Sequence, residues 1–171
     1  MKSNMNDKIK IRLERMKTLR AAYFHALSDN PEEDAWKKAE NWADQKGLLK
    51  KKSTLRIFGR NFYPTENPEP HGYGIFITIT PDIKVEKEIS IRLIAGGLYA
   101  VAKCEGLEQM GIIWPELWKW VGESEYKYIG ETKGDKGFEL GFEEHINWYS
   151  SLIEKSEEKF IFDLMLQLWE E

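Results

Sequence analysis

Glu143 and His145 stand two apart in FEEHI, and Asp163 and Met165 two apart in FIFDLMLQL. In an extended segment that spacing puts both members of a pair on one face. A carboxylate beside an imidazole can move a proton or polarise a water, so Glu143 with His145 is the candidate acid–base pair for any catalytic reading. A carboxylate among aromatic rings does something else: it supplies the counter-charge for a cation whose flat face the rings attract. Rings are abundant, since seven Trp, seven Tyr and eight Phe exceed what a core of this size asks for. The expected ligand site therefore combines Glu143, His145, Asp163 and Met165 with Asn61, Tyr63, Phe76, Tyr99, Trp114 and Trp118. Against it stands a plainer reading. Glu143 and Asp163 would face water on a sheet, His145 would be a hydrogen-bonded strand residue, and Trp36, Trp42, Trp114 and Trp120 would pack helices on strands.

Other chemistries lack their residues. His25, His71 and His145 are scattered and Cys104 is the single cysteine, so no CxxC or HExxH spacing exists and neither metal nor cofactor is expected. No GxSxG, GxGxxG or P-loop occurs; GLEQMG and GDKG lack the glycine order that cradles phosphate. One cysteine excludes an internal disulfide and suits a reducing compartment. The opening MKSNMNDKIK has no apolar signal core and no segment reaches 18 apolar residues, so a cytoplasmic location without membrane contact is expected. A net charge of -4 argues against a nucleic-acid partner. The basic runs Lys8, Lys10, Arg12, Arg15, Lys17, Arg20 and Lys50, Lys51, Lys52 have no interleaved aromatics and read as solvated faces.

The elements that must position these residues come as a repeat. Residues 17–27 read as a strand, and Pro31 followed by Glu32, Glu33 and Asp34 starts a helix, because proline suits the first turn and acids meet the positive dipole end. Ala35, Trp36, Ala39, Trp42 and Ala43 form its buried stripe, and Gly47 ends it. Strands at 54–63 and 73–80 complete β-α-β-β. The second half repeats the order: extended segments around Gly96 and Gly97, a helix carrying Trp114, Leu117, Trp118 and Val121, then strands at 138–146 and 160–169. Trp36 and Trp42 are six apart, as are Trp114 and Trp120, and Gly59 and Gly141 hold matching places in the following strands, which points to duplication. Pro115 predicts that the second helix begins near Gly111 or is kinked. The expected fold is α+β: tandem βαββ modules at 9–80 and 89–169, linked by 81–88, with antiparallel sheets, helices on one face and a ligand cleft between them, together forming one domain. Within the last strand, Phe160, Phe162, Leu164, Leu166 and Leu168 are the row expected beneath the helices.

These segments resemble the GyrI-like family. GGLYAVAKCEGLEQMGIIWPELWKWV is similar to its Gly-Gly-x-Tyr-Ala-Val strand running into an aromatic-bearing helix, FEEHI to its Phe-Glu-x-Tyr-Leu strand, and FIFDLMLQL to its final strand. LRAAYFHAL with EDAWKKAENWADQKGLL resembles the opening strand and helix, so the likeness covers about residues 9–169. It implies the effector-binding fold of bacterial AraC-type and MerR-type multidrug regulators, in which a strand glutamate meets lipophilic cations in an aromatic pocket. By the motif that glutamate is Glu143, and the final strand's aspartate is Asp163. His145 replaces the family tyrosine, while Met165 and Gln167 replace the final strand's tyrosine and proline. The repeat uses nearly the whole chain, so no DNA-reading module and no specific DNA binding are expected. The resemblance implies a stand-alone binder of planar, lipophilic, cationic small molecules. Its alternatives are a hydrolase of cyclopropanoid DNA-alkylating compounds and a gyrase-inhibitor-like protein with a partner protein.

Overall fold

The structure, a computed structural model, describes residues 9–50, 55–64, 71–129, 132–134, 137–147 and 160–170. The first half contains β1 (Ile11–Met16), β2 (Leu19–Ala26), α1 (Pro31–Gln45), β3 (Ile57–Tyr63) and β4 (Gly72–Thr78). The second contains β5 (Ser90–Ile94), β6 (Gly97–Glu105), α2 (Met110–Glu123), β7 (Thr132–Gly134), β8 (Gly137–His145) and β9 (Ile161–Gln167). The helix signals act as expected. Pro31 is in the first turn of α1, three acids follow it, and Ala35, Ala39, Trp42 and Ala43 are buried. Helix α2 begins at Met110, after a single 3-10 turn, and Pro115 lies inside it.

All strand pairings are antiparallel, in the order β1-β6-β9-β8-β3-β4-β2-β5, with β7 added against β8. This bears out the α+β fold class. The order reads the same from either end when β1 is exchanged with β5, β6 with β2, β9 with β4 and β8 with β3. A pseudo-two-fold axis therefore passes through the β3–β8 pair, where Arg60 faces Phe142 and Gly59 faces Glu143. Taking Gly59 as the counterpart of Gly141 makes Asn61 the counterpart of Glu143.

The repeat does not reveal how the strands are shared. Strand β1 precedes β2 in the chain yet pairs with β6, and β5 precedes β6 yet pairs with β2. Each half thus lends its first strand to the other. The basic run at 10–20 forms much of this exchanged strand and its turn, with Arg12 on Asp163 and Arg15 on Glu170. Residues 81–88 do not stand apart from the modules: Ile83 and Val85 pack on the α1 core, and Glu86 accepts from Trp42 Nε1 at 3.0 Å and pairs with Lys46.

The sheet has two different faces. On one, α1 covers β2 and β4 through Ala35, Ala39 and Trp42 against Ala22, Phe24, Ile75 and Ile77, and α2 covers β6 and β9 through Leu117 and Val121 against Ala100, Ala102 and Leu164. Each fully buried Leu or Ile there contributes roughly 1.5–3 kcal/mol by leaving water. On the other face Met16 of β1 and Ile94 of β5, from opposite ends of the sheet, share a core with Tyr23, Phe58, Phe76, Tyr99, Val101, Phe142 and Met165. Edge strands can meet in one core only if the sheet curls around it. Since the helices sit over the outer strand pairs, the central strands β3 and β8 lie in the gap between them.

Candidate functional site

That gap is a cavity of about 510 Å³. Its floor is Asn61 of β3, Tyr73 of β4, Glu143 and His145 of β8 and Phe162 of β9; Glu32 and Trp36 come from α1, and Leu107 and Met110 from the start of the α2 segment. Among the described residues, no Lys or Arg lines it.

Glycine makes the floor possible. A Cβ on Gly59 would lie 1.8 Å from Tyr73 Oη and 2.8 Å from His145 Nε2, so only the missing side chain lets the phenol cross β3. There Tyr73 Oη donates to Glu143 Oε2 at 2.6 Å and lies 3.1 Å from His145 Nε2. On the pseudo-symmetric side a Cβ on Gly141 would meet the Trp114 ring at 2.9 Å, and the Trp114 side chain acts on Glu143 to favour its charged form. The duplicated glycines thus seat two different aromatics, each aimed at one carboxylate. The His145 ring is held edge-on by Trp36 at 5.1 Å and Phe162 at 4.9 Å between centroids.

Electrostatics follow from this burial. Glu143 is 5% and His145 9% exposed. Burial raises the Glu143 pKa, the hydrogen bonds from Tyr73 and Trp114 oppose the rise, and the negative charge of Glu32 adds to it. Burial pushes His145 down to about 3, so its ring is neutral at ordinary pH. Tyr73 is raised well above 10 by burial and then by Glu143. At the mouth, Glu32 lies 3.1 Å from His71 Nε2.

The expected site residues divide between the two faces of the sheet. Glu143, His145 and Asn61 line the cavity, and Trp114 touches Glu143 from the α2 side. Tyr63 shares their parity but packs near His71, 6.2 Å between ring centroids. Contrary to expectation, Asp163 and Met165 do not join Glu143. Asp163 is paired across the strands with Glu144, not Glu143. It accepts from Arg12 Nη2 at 2.6 Å, while Met165 is fully buried in the curled core. Phe76 and Tyr99 belong to that same core, with Tyr99 Oη donating to the Ala95 carbonyl at 2.6 Å. Trp118 is 40% exposed and packs edge-on against Tyr128, away from the cavity. Conversely, Tyr73 and Phe162 belong to rows whose pattern reads as core, and Trp36 to a stripe that reads as helix packing. The available signal for Tyr73 is a hydroxyl in an apolar row diagonal to a glycine on the neighbouring strand.

A curled antiparallel sheet with a helix on each outer half and a buried carboxylate in the gap defines a small-molecule-binding module. Residues 9–145 match the model of the GyrI-like small molecule binding domain, and the chain belongs to that family. Solved structures agree in fold at low identity. The EcmrR C-terminal domain aligns with TM-score 0.66 and 10% identity over 95% of this chain and 99% of its own. A hydrolase from Listeria innocua gives 0.64 and 10% over 96% and 94%. SAV2435 bound to tetraphenylphosphonium gives 0.52 and 12% over 94% of each chain. No curated protein gave a significant match. Among the described residues, no group of three His, Cys, Asp or Glu is placed to hold a metal, and no helix is long and apolar enough to cross a membrane.

Proposed function

We propose that the cavity takes a flat, lipophilic, cationic small molecule, with Glu143 as its counter-charge and Trp36, Tyr73, His145 and Phe162 as its aromatic walls. The observation that carries this reading is a buried carboxylate held by neutral donors, in a lining that holds no Lys or Arg among the described residues. Such a group is costly to ionise alone, and a cation delivered between rings removes the cost. Asn61, the counterpart of Glu143 across the axis, presents a carboxamide instead, so the floor offers one full charge. The structural neighbour solved with tetraphenylphosphonium, a tetrahedral cation, supports the lipophilic, aromatic and cationic part of this reading.

The test is a titration with tetraphenylphosphonium and with neutral triphenylphosphine oxide. Glu143→Gln should lower cation affinity about five- to hundred-fold, roughly 1–3 kcal/mol, and leave the neutral compound nearly unchanged. Equal cation affinity in the variant removes Glu143 from the reading. A second reading is hydrolysis of a reactive aromatic guest. The Glu143–Tyr73–His145 hydrogen-bonded chain favours it, because a carboxyl of raised pKa open to a cavity suits a general base or acid. Mass analysis of incubated cyclopropanoid alkylators reads it directly: a product heavier by one water supports the enzyme, and unchanged compound counts against it.

A further inference from the structure

We propose that His145 and Tyr73 form a positioning pair that fixes the charge the cavity reads, by a hydrogen-bond chain running in one direction: His145 Nε2–H to Tyr73 Oη, then Tyr73 Oη–H to Glu143 Oε2. It rests on the assignment of Glu143 as counter-charge and deepens it.

Proton counting on the observed contacts gives the direction. Tyr73 Oη has one hydrogen and two partners, Glu143 Oε2 at 2.6 Å and His145 Nε2 at 3.1 Å. An ionised carboxylate only accepts, so the tyrosine proton points to Glu143. The phenol then offers His145 a lone pair, and a hydrogen bond at that contact requires the proton on Nε2. A neutral imidazole has one N–H, which leaves Nδ1 bare. The chain therefore favours an anionic Glu143 without placing a positive charge beside it, and the site stays open to a cation. A cationic residue at 145 would fill the counter-ion position itself.

Among the described residues, the side chains that donate to Glu143 are Tyr73 and Trp114. Facing Glu143 are Asn61 from β3, Tyr73 from β4, His145 on its own strand, Glu32 with its partner His71 at the mouth, Trp114 from α2 and Cys104 from β6. Burial and the Glu143 charge raise Cys104 to about 11, so it is a neutral thiol. Glu32 opposes ionisation of Glu143, and Trp114 and Tyr73 support it. The packing that holds the imidazole is also suited to orientation: Trp36 and Phe162 meet it edge-on, and Gly59 leaves room for the phenol.

Two readouts test the proposal. Long-range proton–nitrogen spectra of histidine-labelled protein should show His145 as the Nε2–H tautomer at pH 8, without ligand and with tetraphenylphosphonium; an Nδ1–H tautomer under those conditions overturns the chain. In binding, His145→Phe keeps a ring but removes the donor. It should lower tetraphenylphosphonium affinity about ten-fold relative to triphenylphosphine oxide, about 1.4 kcal/mol, and move the pH midpoint of cation binding upward. His145→Gln, which restores an N–H, should recover most of both. Tyr73→Phe should act in the same direction as His145→Phe and guards against one variant failing to fold. An unchanged cation-to-neutral ratio and pH profile in folded His145→Phe sinks the proposal. If the wild type binds no cation, the counter-charge assignment falls, and the tautomer measurement still decides the hydrogen-bond chain.

Discussion

His145 couples the cavity to acid stability. Its folded pKa, about 3, lies below the ordinary 6.5, so the unfolded chain takes up a proton that the native state refuses. Stability is then complete above about pH 6.5 and falls as pH drops toward 3, at about 1.4 kcal/mol for each unit. Glu143 has the opposite sign. Its folded pKa is raised, so its contribution is present below 4.5 and is lost as pH climbs from there through the folded value. Urea unfolding at pH 7, 6 and 5 should show the wild type losing stability with acid and His145→Phe losing less of it; parallel losses would mean that other groups dominate. On the proposed reading a cation binds the ionised form of Glu143, so affinity should weaken as pH falls through its folded pKa, and binding below that pKa should release a proton. Calorimetry in buffers of different ionisation enthalpy measures that proton.

Strand β3 matters to the site chiefly for the side chain that it lacks at Gly59. Gly59→Ala must expel the Tyr73 hydroxyl or shift the strand. It should cost roughly 1–3 kcal/mol of stability as an overpacked site and break the contact with Glu143. Gly111, in the first turns of α2, is the comparison, because a methyl added there would meet nothing within 4 Å. Gly111→Ala should leave binding alone and be neutral or stabilising by up to roughly 1 kcal/mol. Thermal melts and one cation titration on both variants check the contrast. At this scale the sequence is a good guide to type and parity. Period-two alternation puts Glu143 and His145 on one face, and proline with trailing acids starts α1. Alternation does not say which face of one strand adjoins which face of the next. Asp163 pairs with Glu144, one residue from Glu143, and that single step carries it to the opposite side of the sheet.

The exchange of β1 and β5 makes the two halves one folding unit. Without β5, β2 becomes an uncovered edge, and without β1, β6 does. The curled core also draws Met16 from one exchanged strand and Ile94 from the other. Denaturant unfolding should therefore be one transition, with far-ultraviolet circular dichroism and tryptophan fluorescence coinciding. A fragment of residues 19–80, which lacks both exchanged strands, should remain unfolded. Dispersed amide resonances from that fragment would show the halves to be independent.

The sequence by itself determined the β-α-β-β run within each half, the likeness of the two halves, the helix starts and the parity of the strands it located, because periodicity, capping and glycine spacing are local and survive in a linear string; it did not reveal the additional leading strand β1. The tertiary structure alone decided which strands pair, and with them which of two carboxylate-bearing faces became a cavity. The strand exchange rests on contacts between residues far apart in the chain, as in Arg12 on Asp163. The same is true of Tyr73, which reads as core until β3 is laid beside β8 and an absent side chain at Gly59 opens the path from a phenol to a buried glutamate. Local pattern fixes what each segment can become. Burial, and so the protonation of Glu143 and His145, is a property of the packed whole.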